Sequence, residues 1–442
     1  MNFKDKMSNF FMKISPAINK VGQNKYLRTI SNTMMGTLGP LMVGSIAVLL
    51  LAFPVDAVKT FIASIGLTPI LSAVNTVTIG CMALYVAFLM AKNLVFEMWH
   101  GEDGALVGAI SLMCFLIITP LGNLITDAGE KGASAIPTQW LGASGVFSAM
   151  IVGLVVGRIY VLFKQKNWTI KMPDSVPPMV SKTFDSLLPA FTVGILFVLL
   201  RLAFNATPYG SMHQFIYSII QTPLQNIGAT LPATILTSFL MQLLWFFGIH
   251  GTNVIAPIVQ PIRLTLDAQN MAAATAGTAL PNIVGNAFFS IVCWGGTALG
   301  LVLLMLRSKS KRYREMGKVA LVPALFGITE PVIFGTPLVF NFSFFFPFVL
   351  NNSINLCLAY FLTKIGVVAR CVGVQCIFGL PLGFHAMVGG SISIVILQLF
   401  IQLVLSPLEW YPWFKMAEKK ALAEEAETEK TDAEAAAVDT AA

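Results

Sequence analysis

The sequence predicts an all-α polytopic membrane protein with about ten transmembrane helices, two re-entrant hairpins and amphipathic surface helices. Three observations lead there. Of 442 residues, 56% are hydrophobic and 11% charged, whereas soluble chains carry about a quarter charged residues. Apolar windows of about 20 residues, long enough to cross a bilayer, recur from end to end. Two further apolar stretches, 249–284 and 319–337, are too rich in proline, glycine and asparagine for one straight helix and read as hairpins. No soluble catalytic domain of ordinary size is left over, so any chemistry happens in, or docked onto, the membrane body.

Over the first thirty positions, Lys4, Lys6, Lys13, Lys20, Lys25 and Arg28 sit among apolar residues. That pattern suits an amphipathic segment on lipid headgroups better than a cleavable signal peptide. Windows near 30–53, 70–91, 104–121, 140–163 and 185–206 make an N-terminal transmembrane domain, 1–206. The loop before the fifth window bears Arg158, Lys164, Lys166, Lys171 and Lys182. The turn after the first window has only Asp56 and Lys59, and the turn after the third Asp127, Glu130 and Lys131. Alternate loops are basic, which puts the N-terminus in the cytoplasm.

Residues 207–226 read as a linker with a short surface helix. Windows near 227–248, 285–306, 338–361, 370–386 and 387–406 then make a second domain, 227–417, holding both hairpins. Arg307–Lys318, RSKSKRYREMGK, is the densest basic run. It reads as a topology-setting cytoplasmic loop, a role compatible with docking an acidic partner. From Glu418 eight acids stand against three lysines among many alanines, the composition of a disordered acidic tail, 418–442, on the cytoplasmic side. Setting aside that tail's net −5 raises the chain's +7 to +12. Positive cytoplasmic loops explain this excess without any nucleic acid.

The cysteines at 81, 114, 293, 357, 371 and 376 match no zinc or redox spacing and read as small core residues. The chain has no Walker loop, dinucleotide fingerprint or zincin helix, so no cofactor is expected and energy must come from a gradient or another protein. Glu330, within GITEPVIFGTPLVFN, is the residue that composition does not explain. A carboxylate at membrane depth costs roughly 2.5–3.5 kcal/mol or more and persists where it faces a cavity. Pro323, Pro331, Gly335 and Pro337 break the chain around it, and such breaks are where transporters bind substrate. His250 lies in a second such break, Leu243–Val259, between Gly248 and Gly251. His100 and His213 fall in predicted loops and His385 near Gly383, all in structural roles.

The segments LLWFFGIHGTNVIAPI and ITEPVIFGTPLVFN resemble the two signature stretches of the enzyme IIC membrane component of the phosphoenolpyruvate-dependent sugar phosphotransferase system, in the lactose/cellobiose/diacetylchitobiose branch. Weaker likeness extends over FFMKISPAINKVGQNKYL, LLMLRSKSKRYREMGKVALVPALFGI and WYPWFKMAEKK. The chain differs at Ile30–Thr33 and Gly379–Gly383, which leaves the sugar open. The resemblance implies a bacterial inner-membrane permease, homodimeric through its first half. Such a permease moves a disaccharide-sized sugar inward and presents its 6-hydroxyl to a phosphocysteine on a B component. This chain has no such cysteine motif, so it would take part in phosphotransfer without carrying the phosphoryl group. The resemblance also implies that Glu330 and His250 contact sugar, Glu330 as candidate base, with Trp245 close to it; Asn253, Asn282 and Asn286 are candidate amide partners. The competing class is a proton- or sodium-coupled secondary transporter with Glu330 and His250 as a proton relay.

Overall fold

The computed structural model describes residues 16, 20 and 23–441, apart from 52–55, 100, 126–130, 171, 174–175, 337 and 376–378. The amphipathic segment expected before residue 23 lies almost wholly outside the described residues, as does His100.

The first half is a stack of helices: α1 (Lys25–Leu51), α2 (Asp56–Ser64), α3 (Thr68–Met98), α4 (Ala105–Ile118), α5 (Ala143–Gln165) and α6 (Pro178–Asn205). An antiparallel pair, β1 (Gly122–Ile125) and β2 (Lys131–Ala135), links α4 to α5. Asn24 starts α1 by accepting the Tyr26 and Leu27 N–H groups on its side-chain oxygen, meeting two of the donors every helix start leaves free. Val86 and Met90 of α3, Phe115 of α4 and Val152 of α5 close the first core. α6 instead turns Phe191, Ile195, Leu199 and Leu202 outward, as a lipid-facing helix does.

The second half follows as α7 (Met212–Gly228), α8 (Leu231–Phe246), α9 (Gly251–Thr275), α10 (Asn286–Leu306), α11 (Lys311–Leu325), α12 (Glu330–Gly335), α13 (Phe342–Lys364), α14 (Phe384–Met387) and α15 (Ile392–Thr428). Its main core gathers Phe246, Val302, Phe344 and Trp410. Leu264, Ala268 and Met271 of α9 join the first core, so this helix ties the halves together.

The structure differs from several expectations. Among the described residues seven helices are long and apolar enough to cross a membrane, or up to eight if α7 and α8, bent by 74°, form one span; ten were expected. The window at 104–121 holds only the 14-residue α4. The window at 370–386 shows no spanning helix among its described residues. Residues 369–375 have no regular secondary structure, and Cys371, Val372 and Val374 are apolar because protein, not lipid, buries them. The stretch 249–284 is a 25-residue helix, α9, with an irregular return, and 319–337 is the end of α11, a turn and α12.

The expected linker with a surface helix contains α7, and His213, expected in a loop, is fully buried there. It stacks on Trp140 at 5.5 Å and its Nε2 meets Thr119 Oγ1 at 3.0 Å. The tail expected to be disordered continues the last helix to Ala441. Its start is fastened: Glu418 Oε1 accepts Ser308 Oγ at 2.6 Å and the Lys309 N–H at 2.8 Å, and Glu425 Oε1 accepts Ser310 Oγ at 2.6 Å and the Arg312 N–H at 3.1 Å. Glu418 and Glu425 are two helical turns apart, so they share one face of the helix.

Replacing Glu418 with Ala leaves a buried serine hydroxyl and a backbone N–H without their acceptor. The expected loss is about 2–3 kcal/mol, read as a lowered thermal midpoint in detergent. Glu418→Gln, which keeps a carbonyl acceptor, is expected to lose less.

Candidate functional site: a cavity at three helix breaks

Three interruptions of helix meet around one cavity. α8 ends at Phe246 and Gly248 turns the chain with φ +79°. This brings the Trp245 and His250 rings to a centroid distance of 4.4 Å. His250 caps α9: its Nδ1 accepts the Asn253 N–H at 3.3 Å. With Nδ1 used as acceptor, a neutral ring carries its proton on Nε2, so that nitrogen is a donor. Gly251 opens α9, and no side chain fits there, since a Cβ would stand 1.9 Å from the Met241 carbonyl oxygen.

The second interruption is inside α10, where Gly295, Gly296 and Thr297 have φ of 55°, 54° and 57°. The third lies between α11 and α12. Glu330 is the first residue of α12, and its Oε2 accepts the Thr329 N–H at 3.1 Å.

The cavity has a volume of about 300 Å³ and is lined by Trp245, His250, Glu330, Gln242, Asn352 and Trp410, among others. Met241, Thr252 and Cys293 also line a second cavity of about 790 Å³, so the two adjoin. Their volumes lie in the range of small-molecule sites, about 300–1,000 Å³. The lining offers an indole, an imidazole, a carboxylate and amides, which is chemistry for a neutral polyhydroxylated ligand. Among the described residues no group of three or more His, Cys, Asp or Glu side chains could hold a metal ion.

The structure therefore brings Trp245, His250 and Glu330 together. Asn253 and Asn286 line the larger cavity, and Asn286 Nδ2 also donates to Gln375 Oε1 at 2.8 Å. Asn282 lines neither cavity. Its Nδ2 donates to the Leu266 carbonyl at 3.1 Å and to Gln269 Oε1 at 2.9 Å, and its N–H donates to Asn270 Oδ1 at 2.9 Å. It fastens the chain returning from α9, away from both cavities.

The sequence reading missed Arg263, His385 and the α1 residues Arg28 and Asn32, all of which line the larger cavity. Arg263 is 4% exposed, lies 3.7 Å over the Phe289 ring and donates to Thr237 Oγ1 at 2.7 Å. Asp267, 1% exposed, accepts the Ala287 N–H at 2.9 Å and Gln375 Nε2 at 2.7 Å. Opposite charges four residues apart are a helix signal. Within 249–284 the spacing of Arg263 and Asp267 was available to reveal α9, though not that this face is buried.

The family model for the phosphotransferase system EIIC matches residues 31–351. The chain belongs to that family. Its EIIC relatives match along nearly their whole length. The lichenan permease IIC component of Bacillus subtilis is 32% identical, with 97% of each chain covered. The oligo-beta-mannoside-specific EIIC component of the same organism is 33% identical, with 96% of each covered. The cellobiose-specific EIIC component of Geobacillus stearothermophilus is 31% identical over 93% of this chain and 94% of its own. The crystal structure of ChbC, the IIC component of the N,N′-diacetylchitobiose-specific phosphotransferase system, superposes with a TM-score of 0.87 at 32% identity, covering 94% of this chain and 99% of that one.

Because the Met241 carbonyl occupies the space a Cβ needs, Gly251→Ala is expected to displace His250 and the first turn of α9. The expected outcome is a sharply reduced yield of monodisperse protein, measured by size-exclusion chromatography against the wild type.

Proposed function

We propose that this EIIC component is a sugar permease that moves a disaccharide-sized sugar of the cellobiose, lactose or diacetylchitobiose type across the bacterial inner membrane and offers its 6-hydroxyl to a phosphorylated B component. The observation that carries the reading is the convergence of Trp245, His250 and Glu330 on one cavity next to a larger one. Relatives named for cellobiose, oligo-beta-mannosides and N,N′-diacetylchitobiose support a sugar of this size.

Each residue has a distinct part. The Trp245 indole covers an apolar sugar face. His250 donates from Nε2 to a hydroxyl. Glu330 accepts from hydroxyls and takes the proton of the 6-hydroxyl as its oxygen bonds to phosphorus and the phosphorus–sulfur bond of the B component's cysteine breaks. α9 with its irregular return, and α11 with α12, act as re-entrant elements around the sugar. Residues 1–206 form a homodimer and residues 227–417 hold the substrate. Both termini and Arg307–Lys318 face the cytoplasm.

In vesicles, uptake is expected to require phosphoenolpyruvate with the soluble phosphoryl carriers and to yield sugar phosphate. Uptake driven by a proton or sodium gradient alone would overturn the reading. Glu330→Gln keeps one carbonyl acceptor but loses basicity. Its sugar affinity is expected to fall about tenfold to a hundredfold, for one charge-assisted hydrogen bond of about 1.5–3 kcal/mol, and phosphorylation with saturating B component is expected to fall further. His250→Ala removes ground-state contacts, so binding and phosphorylation are expected to fall together. Wild-type phosphorylation rates in Glu330→Gln would remove that residue from its role.

A further inference from the structure

Behind the wall of the smaller cavity, α13 and α15 enclose a polar cluster that the proposed sugar chemistry does not use. Asn351 and Asn355, four residues apart, share one face of α13, and Asn352 stands beside them toward the smaller cavity. Asn355 is fully buried, and among the described residues neither its Nδ2 nor its Oδ1 has a hydrogen-bond partner. On α15, both carboxyl oxygens of Glu409 are buried and equally without a partner. The Asn355 amide lies against that carboxyl. Glu409 and Asn351, whose Nδ2 is also unpartnered, line a groove of about 360 Å³ with Pro347, Leu350, Ile354 and Trp413. Among the described residues that groove holds no second charged side chain, so nothing of the protein's own neutralises a carboxylate there.

The donor inventory separates the two charge states. An ionised carboxylate can only accept, so it could take a bond from Asn355 Nδ2 but would leave Asn355 Oδ1 facing a negative charge with no donor. A protonated carboxyl donates its O–H to Oδ1 while its carbonyl oxygen accepts from Nδ2. That reciprocal pair satisfies all four buried atoms at once, and only a neutral acid can form it. A carboxylate without a counter-charge at this depth would also carry the cost noted for buried ions.

We propose that Glu409 is a proton-binding site, held as a neutral acid paired reciprocally with Asn355, which fastens α15 to α13 behind the cavity. The neighbouring residues reach the cavity itself. Asn352 and Trp410 line it, and Trp410 Nε1 donates at 3.0 Å to the carbonyl of Thr297, in the left-handed break of α10. Loss of the proton would leave a charge next to these wall residues and open the pair.

The site is tested on purified full-length protein in detergent by infrared spectroscopy at neutral pH. The wild type is expected to show a carboxylic-acid carbonyl band that Glu409→Gln lacks and that Asn355→Ala shifts, since the acid then loses its amide partner. The Gln side chain reproduces the same two hydrogen bonds at every pH. The folded wild type holds a proton that the unfolded chain releases, so raising the pH is expected to lower the wild type's thermal midpoint more than that of Glu409→Gln. Three results would overturn the proposal: no acid band assignable to Glu409, equal pH responses in the two proteins, or a wild-type midpoint raised by sodium over choline in a way that Glu409→Gln abolishes. The last would make the occupant a metal cation. If Glu409→Gln fails to fold, the band and its shift in Asn355→Ala decide the matter.

Discussion

The structure depends on one constraint: backbone that leaves the helix at membrane depth must find its hydrogen bonds inside the protein, because lipid offers none. The second half leaves the helix repeatedly, and polar side chains answer the freed backbone groups. Asn270 Nδ2 donates to the carbonyls of Asn282 and Cys371, both at 2.9 Å. Asp267 takes the N–H that opens α10, and Gln375 binds Asp267 in turn. Where α10 unwinds, Gln402 Nε2 donates to the Trp294 carbonyl at 3.0 Å, while Ser406 and Trp410 donate to that of Thr297. The last helix therefore braces the break in the tenth.

These supports allow a cavity to exist among apolar helices. A helix end exposes polar groups that an uninterrupted helix hides, and here three such ends face one space. His250 caps the start of α9 and Glu330 is the first residue of α12, where side chains have few helical neighbours and are free to point into the cavity. The same economy explains Gly251: the chain turns so tightly back on α8 that the Met241 carbonyl fills the space of a side chain.

How much of this was legible in the sequence differs by residue. His250 and Glu330 could be found because each is a polar group beside glycine or proline in an apolar run, which is also what puts them at helix ends, whereas Trp245 was implied only by the family resemblance. The apolar windows gave the helical membrane body but overcounted its spans. Hydrophobicity does not separate burial in protein from burial in lipid, and Cys371–Val374 is buried by protein. Asn282 looked like a ligand because an asparagine near a break can serve either a substrate or the chain, and only its partners show that it serves the chain. His213 read as a loop residue in a structural role, but nothing near it in sequence pointed to the partners of its ring, Trp140 and Phe115, 73 and 98 residues away.

The basic run and the acidic tail read separately as a topology signal and a disordered appendage, but the structure pairs them through Glu418, Glu424 and Glu425. The two roles are separable in time. A positive-inside signal acts while the chain is being inserted, and residues 307–318 emerge from the ribosome about a hundred residues before Glu418. The run therefore meets the membrane unneutralised, and afterwards part of its charge is taken up by the last helix. Other charges of the run stay exposed, Arg314 and Lys318 among them, and Lys318 pairs with its own helix neighbour Glu315 at 2.7 Å.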